Sequence, residues 1–469
     1  MRITTLLLAV SLLSGQGPSF KSHFTGQTMR VDYQHSGIAT QEHYALEQIK
    51  VEGEWPGRRA ELAPRSTLGP YRYEISDAAT GALLFAEGFA SIYGEWETTQ
   101  EAADSIWRSF SETLRFPEPR RPVKLTIRKR DADNRFRQVY QVAIDPGSRQ
   151  VNRASITPRG KVWVLFENGP PADKVDILVL GDGYRKKDRR LFHKDVQQLM
   201  ERLFSTEPFR SRKSDFNVRA IDLPAAQAGV SRPRSGVWRD SPLALSYNAL
   251  DSERYMLTYA NSAVRDIAAQ APYDAIIMIA NSDKYGGGGI YNLYATSAAH
   301  NEQSAYVVIH EFGHSFAGLG DEYYSSSVAY LSFDAKGVEP WAPNITALLN
   351  PELLKWRASV DKSTPLPTPW DQAAYDTLAN EYQRRRVALR SAGAPESDLE
   401  ALFKEQQERL DPLLAAEPYF GSVGAFEGAQ YQGQGLYRPE ANCIMFTRYS
   451  RFCQVCSRAI EQRIDSYIR

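Results

Sequence analysis

Apolar and polar positions alternate along much of the first third of the chain. The stretches at 29–33 (MRVDY) and 71–75 (YRYEI) alternate residue by residue. Those at 83–93 (LLFAEGFASIY), 123–128 (VKLTIR) and 136–144 (FRQVYQVAI) are strand-like runs broken by Gly, Pro, Asp and Asn. A period of two predicts half-buried strands. Several short strands with regular turn signals predict an antiparallel β-sandwich. No cluster of His, acidic or nucleophilic residues stands out in this region, so it reads as a binding or spacer module without a named ligand.

The pattern changes near residue 159. The run at 161–167 (KVWVLFE) is a strand closed by Asn168-Gly169-Pro170-Pro171. The nearly continuous apolar run at 175–180 (VDILVL) predicts a parallel strand buried on both faces and ending at Gly181-Asp182-Gly183-Tyr184. No GK[ST] or GxGxxG follows, so Gly-Asp-Gly is not read as a phosphate loop. Residues 187–204 show helical spacing, with Phe192, Val196, Leu199, Met200 and Leu203 on one face. A strand at 217–223, a helix at 255–269 and a strand at 274–280 continue the alternation, which predicts an α/β core sheet.

Two further stretches bear on function. Four glycines at 286–289 precede an alternating piece at 290–294 (IYNLY). This is either an edge strand to which an extended substrate adds, or a flexible loop before an ordinary strand. Residues 367–417 carry two charged helical patterns joined by Ser391-Ala392-Gly393-Ala394-Pro395, which predicts a helical hairpin. That hairpin either covers a cleft or decorates the surface.

At 469 residues the chain exceeds one typical domain. The layout expected is a leader at 1–18, a β-sandwich at 19–158 and a second domain at 159–469 with the hairpin inserted at about 367–417. The leader rests on Met1-Arg2, an apolar run over 3–13 and Ser14-Gly15, the plan of a secretory signal peptide. Localisation is therefore expected to be secreted or periplasmic, with no membrane span. A formal net charge of +0 gives no reason to expect nucleic acid as a partner. A monomer is expected. The three cysteines, Cys443, Cys453 and Cys456, sit close together near the C-terminus, and in an exported chain they suggest one local disulfide and one odd thiol.

The chemistry concentrates at 305–324, AYVVIHEFGHSFAGLGDEYY. His310-Glu311-Phe312-Gly313-His314 is an HExxH motif. On a helix, His310 and His314 stand one turn apart on one face and reach a single metal ion. Zn2+ suits imidazole and carboxylate donors and keeps a position open in catalytic sites. Glu311 is then the general base acting on water. The helix is expected to begin near 302–304 and to stop at Gly318. The third ligand is Asp321, one residue later than the HExxHxxGxxH pattern when counted from His310, with Glu322 as the alternative.

These residues resemble the IgA-specific metallopeptidase family of secreted bacterial zinc peptidases. The resemblance is carried by HEFGHSFAGLGDEY at 310–323, DKVDILVLGDGY at 173–184, GAFEGAQYQGQGLYRPEANCIMF at 424–446 and FCQVCSRAI at 452–460. It implies a metzincin-like α/β zincin domain, zinc held by His310, His314 and Asp321, and Met445 as a methionine floor below the metal. The function expected is a secreted zinc endopeptidase hydrolysing protein or peptide substrates. The rivals are an inactive metal-containing adhesin or glycan-binding protein, and a zinc amidase acting on cell-wall peptides.

Overall fold

The computed structural model describes residues 19–64, 68–325 and 337–468; the expected leader at 1–18 lies outside them. The alternating stretches form strands as their period predicts. β1 (Phe24–Ile38), β2 (Gln41–Glu54), β3 (Tyr71–Asp77), β4 (Leu83–Phe89), β5 (Arg108–Pro119), β6 (Val123–Arg130), β7 (Phe136–Ile144) and β8 (Val151–Asn152) make two four-stranded sheets. One runs β5-β1-β2-β8 and the other β4-β3-β6-β7. Every pairing is antiparallel except the short β2–β8 contact. Met29, Val31 and Tyr33 of β1 meet Tyr73, Ile75, Leu125 and Ile127 of the other sheet in one apolar cluster. Alternate residues face inward because successive side chains of a strand point to opposite sides.

The second region is built on a six-stranded sheet. It contains β9 (Lys161–Phe166), β10 (Val175–Asp182), β11 (Phe216–Asp222), β12 (Ala275–Ala280), β13 (Gly287–Ile290) and β14 (Tyr294–Ala298), in the order β13-β14-β12-β10-β11-β9. β10 is parallel to both β11 and β12 and every residue in it is buried. Ile177 and Val179 enter the core on one face of the sheet, Leu178 and Leu180 that on the other. This is why the run at 175–180 is apolar without alternation. Asp182 accepts hydrogen bonds from Ser241 Oγ at 2.7 Å and from the N–H groups of Leu243 and Leu245. The turn after β10 is thus a structural tether.

Three expectations change. The helix expected at 255–269 is confined to Asn261–Ala268, because residues 254–256 run beside β13 as extended backbone. The edge strand is the glycine run itself, not the alternating piece at 290–294. That piece contains the turn between β13 and β14, with Asn292 at φ 57°. The β-rich region is also more than a spacer. Arg30 of β1 bonds Asp266 at 2.7 Å and Arg463 near the C-terminus bonds Glu87 at 3.2 Å, so the two regions share partly buried ion pairs.

The HExxH helix spans Ser304–Ala317 and packs Val308, Phe312 and Phe316 into the core on one sheet face. Helices Gln372–Ser391 and Glu396–Ala415 pack against each other as the pattern at 367–417 predicts, turning at Gly393 with φ 64°. A final helix, Gln454–Ile468, lies against the HExxH helix. Among the described residues, no helix is long and apolar enough to cross a membrane.

Candidate metal centre

The HExxH helix stops where the sequence predicts. Gly318 adopts φ 66°, a left-handed conformation open to glycine, and its N–H reaches back to the His314 carbonyl at 3.0 Å. The chain then doubles back, and Leu319-Gly320-Asp321 runs beside the histidines. His314 Nδ1 lies 2.6 Å from the Leu319 carbonyl oxygen. His310 Nδ1 lies 3.0 Å from the Ile444 carbonyl oxygen. A carbonyl only accepts, so each imidazole carries its proton on Nδ1 and presents the Nε2 lone pair.

Those two lone pairs face one another. His310 Nε2 and His314 Nε2 are 3.0 Å apart, and Asp321 Oδ1 lies 3.1 Å from each. Two imidazole lone pairs and a carboxylate oxygen crowded this closely are a donor set for a cation. The spacing approaches the roughly 3.3 Å edge of a tetrahedron with bonds of about 2.0–2.1 Å, the usual zinc–nitrogen distance. The residues present therefore fit a divalent transition metal. Asp321 is tied on its other side by the Tyr431 hydroxyl, which donates to Oδ2. Burial opposes the charge on Asp321, yet His314 and His310 hold its carboxyl well below the usual range. Burial also opposes the charge on His314, which the Asp321 carboxylate pushes up to about 9, so a proton holds Nε2 at neutral pH until a metal cation displaces it.

Glu311 projects into the same cleft. Burial pushes its carboxyl up, against the pull of His310 and His314. Its backbone is pressed against the glycine strand. A Cβ on Gly289 would stand 2.3 Å from the Glu311 carbonyl oxygen, and one on Gly287 would stand 2.5 Å from Val307 Cγ1. The run of glycines is required here because β13 and the helix touch backbone to backbone. Below the helix, Met445 is fully buried, and its Sδ would lie 3.1 Å from a Cβ on Gly313. Glu322, the alternative ligand, does not join the histidines. Its Oε1 accepts from Asn344 Nδ2 at 3.0 Å and lies 3.1 Å from Cys456 Sγ. The expected local disulfide is absent too, for all three cysteines are free and buried.

With this geometry in view, comparison places the chain. Residues 164–464 match the family described as IgA Peptidase M64. The chain belongs to the IgA peptidase M64 family. Residues 19–141 match the Peptidase M64 N-terminus, so an N-terminal domain precedes the peptidase domain. No curated protein matches the chain. Membership makes this M64 chain a metallopeptidase, with protein as its substrate class.

Several residues of this M64 site were not among those the sequence singled out as site residues. Tyr431 and Gln430 form a hairpin tip between β15 (Phe426–Ala429) and β16 (Gln432–Arg438), both at positive φ. That conformation is costly for a side-chain-bearing residue. It is held because Gln430 N–H donates to the Asp321 carbonyl and Tyr431 N–H to the Tyr323 carbonyl. The cleft beside the histidines is also lined by Pro70, Ala90, Gly94 and Glu95 of the N-terminal region, where Glu95 accepts from the Tyr255 hydroxyl. A second recess reaches from His310 and Glu311 to Gln406 and Gln407 of the helical hairpin, so the hairpin walls the site. Arg254, Arg386 and Arg448 converge on that recess. Burial, with Arg448 and Arg254 nearby, lowers Arg386 to about 10.

Proposed function

We propose that this chain is a secreted zinc endopeptidase with a metzincin-like catalytic domain, in which the hairpin at about 367–417 is an insertion. Zinc is held by His310, His314 and Asp321, and Glu311 is the general base. The observation that carries the reading is the convergence of His310 Nε2, His314 Nε2 and Asp321 Oδ1 within 3.1 Å, with both Nδ1 atoms committed to backbone carbonyls.

A zinc ion in this set supplies a Lewis acid for the scissile carbonyl and lowers the pKa of water toward about 7. Glu311 takes a proton from the attacking water and hands it to the leaving amine. Tyr431 fixes the rotamer of Asp321 and so the plane of its carboxylate. Gly289, the one half-buried residue of β13, lies on the cleft beside Glu311 and His310, where main-chain groups can meet an extended peptide. An acidic or polar side chain of the substrate fits the arginine-lined recess by charge.

Glu311→Gln is expected to keep its metal and lose peptide cleavage. His314→Ala is expected to lose that metal equivalent. Normal cleavage by the glutamine variant, with contaminating protease excluded, overturns the assignment. Cleavage of muropeptides but not of proteins favours the amidase reading instead.

A further inference from the structure

We propose a second metal centre, separate from the catalytic one and structural in kind, made by Cys443, Cys453, Cys456 and Glu322. The four donor atoms lie within 4.8 Å of one another, and all four residues are 0% exposed. Three thiol sulfurs and a carboxylate form a soft, closed donor set of the type that holds structural zinc. With every donor buried, such a closed set suits a structural rather than a catalytic ion.

Two observations independent of the clustering point to a cation. First, the backbone is arranged for thiolates. Cys443 Sγ receives the N–H groups of Met445 at 3.4 Å and Cys453 at 3.2 Å, and Cys453 Sγ receives that of Cys456 at 3.4 Å. Amide N–H groups aimed at a sulfur favour its charged form. Second, Glu322 is under-satisfied. Oε1 accepts from Asn344 Nδ2 and lies 3.1 Å from Cys456 Sγ, while the buried Oε2 of the same carboxyl has no hydrogen-bond partner among the described residues. An orphaned carboxylate oxygen in the core is costly unless a cation meets it. The buried Arg438 guanidinium donates to the Glu427 and Gly428 carbonyls, not to Glu322.

The centre would brace the catalytic site from below. Glu322 follows Asp321 in the chain, and its N–H donates to the Met445 carbonyl at 2.8 Å. Cys443 is followed by Ile444, whose carbonyl fixes His310, and by Met445, which packs under Gly313. Cys453 and Cys456 stand at the start of the last helix. One ion would tie the post-motif strand, the methionine segment and that helix together.

The test uses the full-length double variant His310→Ala/His314→Ala, which removes the catalytic donors. Elemental analysis of the folded variant is expected to find about one zinc per chain against about two in the parent. X-ray absorption at the zinc edge is expected to show three sulfur neighbours at about 2.3 Å in the variant. Metal-free variant with native circular dichroism, or only nitrogen and oxygen neighbours around its metal, overturns the proposal. So does a disulfide among the three cysteines by intact mass. Failure of the catalytic reading looks different: parent and variant then hold equal zinc, with the sulfur shell still present.

Discussion

Asp321 and Glu322 are adjacent in the chain, yet their carboxylates serve opposite sides of the same segment. Asp321 Oδ1 stands 3.1 Å from both His310 Nε2 and His314 Nε2, while Glu322 Oε1 stands 3.1 Å from Cys456 Sγ. Extended backbone sends successive side chains to opposite faces, so one dipeptide supplies two clusters. Exchanging the two residues, as Asp321→Glu with Glu322→Asp, is expected to lower metal content at both sites, read by elemental analysis. Asp321→Ala is expected to abolish detectable turnover while leaving the sulfur-bound metal in place.

Tyr431 reaches Asp321 from a hairpin more than a hundred positions away. Its hydroxyl is expected to orient the carboxylate. Tyr431→Phe should retain the fold and lose about 10–100-fold in metal affinity or kcat/KM, the usual range for a group behind a metal ligand. Unchanged metal affinity and kinetics would show that Asp321 is positioned without it.

Backbone contact between β13 and the HExxH helix gives a steric prediction. Gly289→Ala places a methyl 2.3 Å from the Glu311 carbonyl oxygen. The strand or the helix must shift, at about 1–3 kcal/mol of stability. A displacement of Glu311 by about 1 Å is expected to cost on the order of 100-fold in kcat. Gly433→Ala, where no described atom lies closer than 3.6 Å to the new methyl, is the control expected to leave both nearly unchanged. Thermal melts and peptide kinetics on the two variants check this.

The shared ion pairs make the N-terminal region part of the folded unit. Arg30, 1% exposed, bonds Asp32 and Asp266 at 2.7 Å each. Arg30→Ala leaves buried carboxylates unmatched and is expected to destabilise by about 3–5 kcal/mol. If the melt of this variant shows an early transition for residues 19–141 alone and no loss of activity, the two regions are not coupled as these contacts indicate.

His35 gives a pH dependence remote from the metal sites. Its ring nitrogens face Glu112 at 3.2 Å and Glu42 at 3.1 Å, and Tyr44 and Tyr93 stack on its faces. Lys129 bonds Glu42, and the Tyr33 hydroxyl bonds Glu112. Burial works against the imidazolium, but the two carboxylates prevail and raise His35 above its ordinary value. A raised histidine stabilises the fold fully below its unfolded pKa of about 6.5, and that contribution fades as pH rises through the folded value. The stability gap between the parent and His35→Gln is therefore expected to be widest below about pH 6.5 and to narrow on the alkaline side. Denaturant melts across pH 5–9 measure it.

Local physics made much of this protein legible from its residues. The alternation at 29–33 and 71–75, the buried run at 175–180, the helical hairpin and the glycine stop at Gly318 each follow from short-range constraints on backbone and side-chain direction. His310, Glu311 and His314 declare themselves because one helical turn sets their spacing, and the glycine stop narrows the third donor to Asp321 or Glu322 just beyond it. Long-range contacts had no such signature. The side that Glu322 faces, the joining of Glu322 to the three cysteines, the reach of Tyr431 to Asp321, the backbone contact of Gly289 with Glu311 and the wall that Gly94 and Glu95 add to the cleft all join segments separated in sequence. They are decided by how the sheet, the helices and the sandwich pack, because only packing brings such atoms within hydrogen-bond and metal-binding distance.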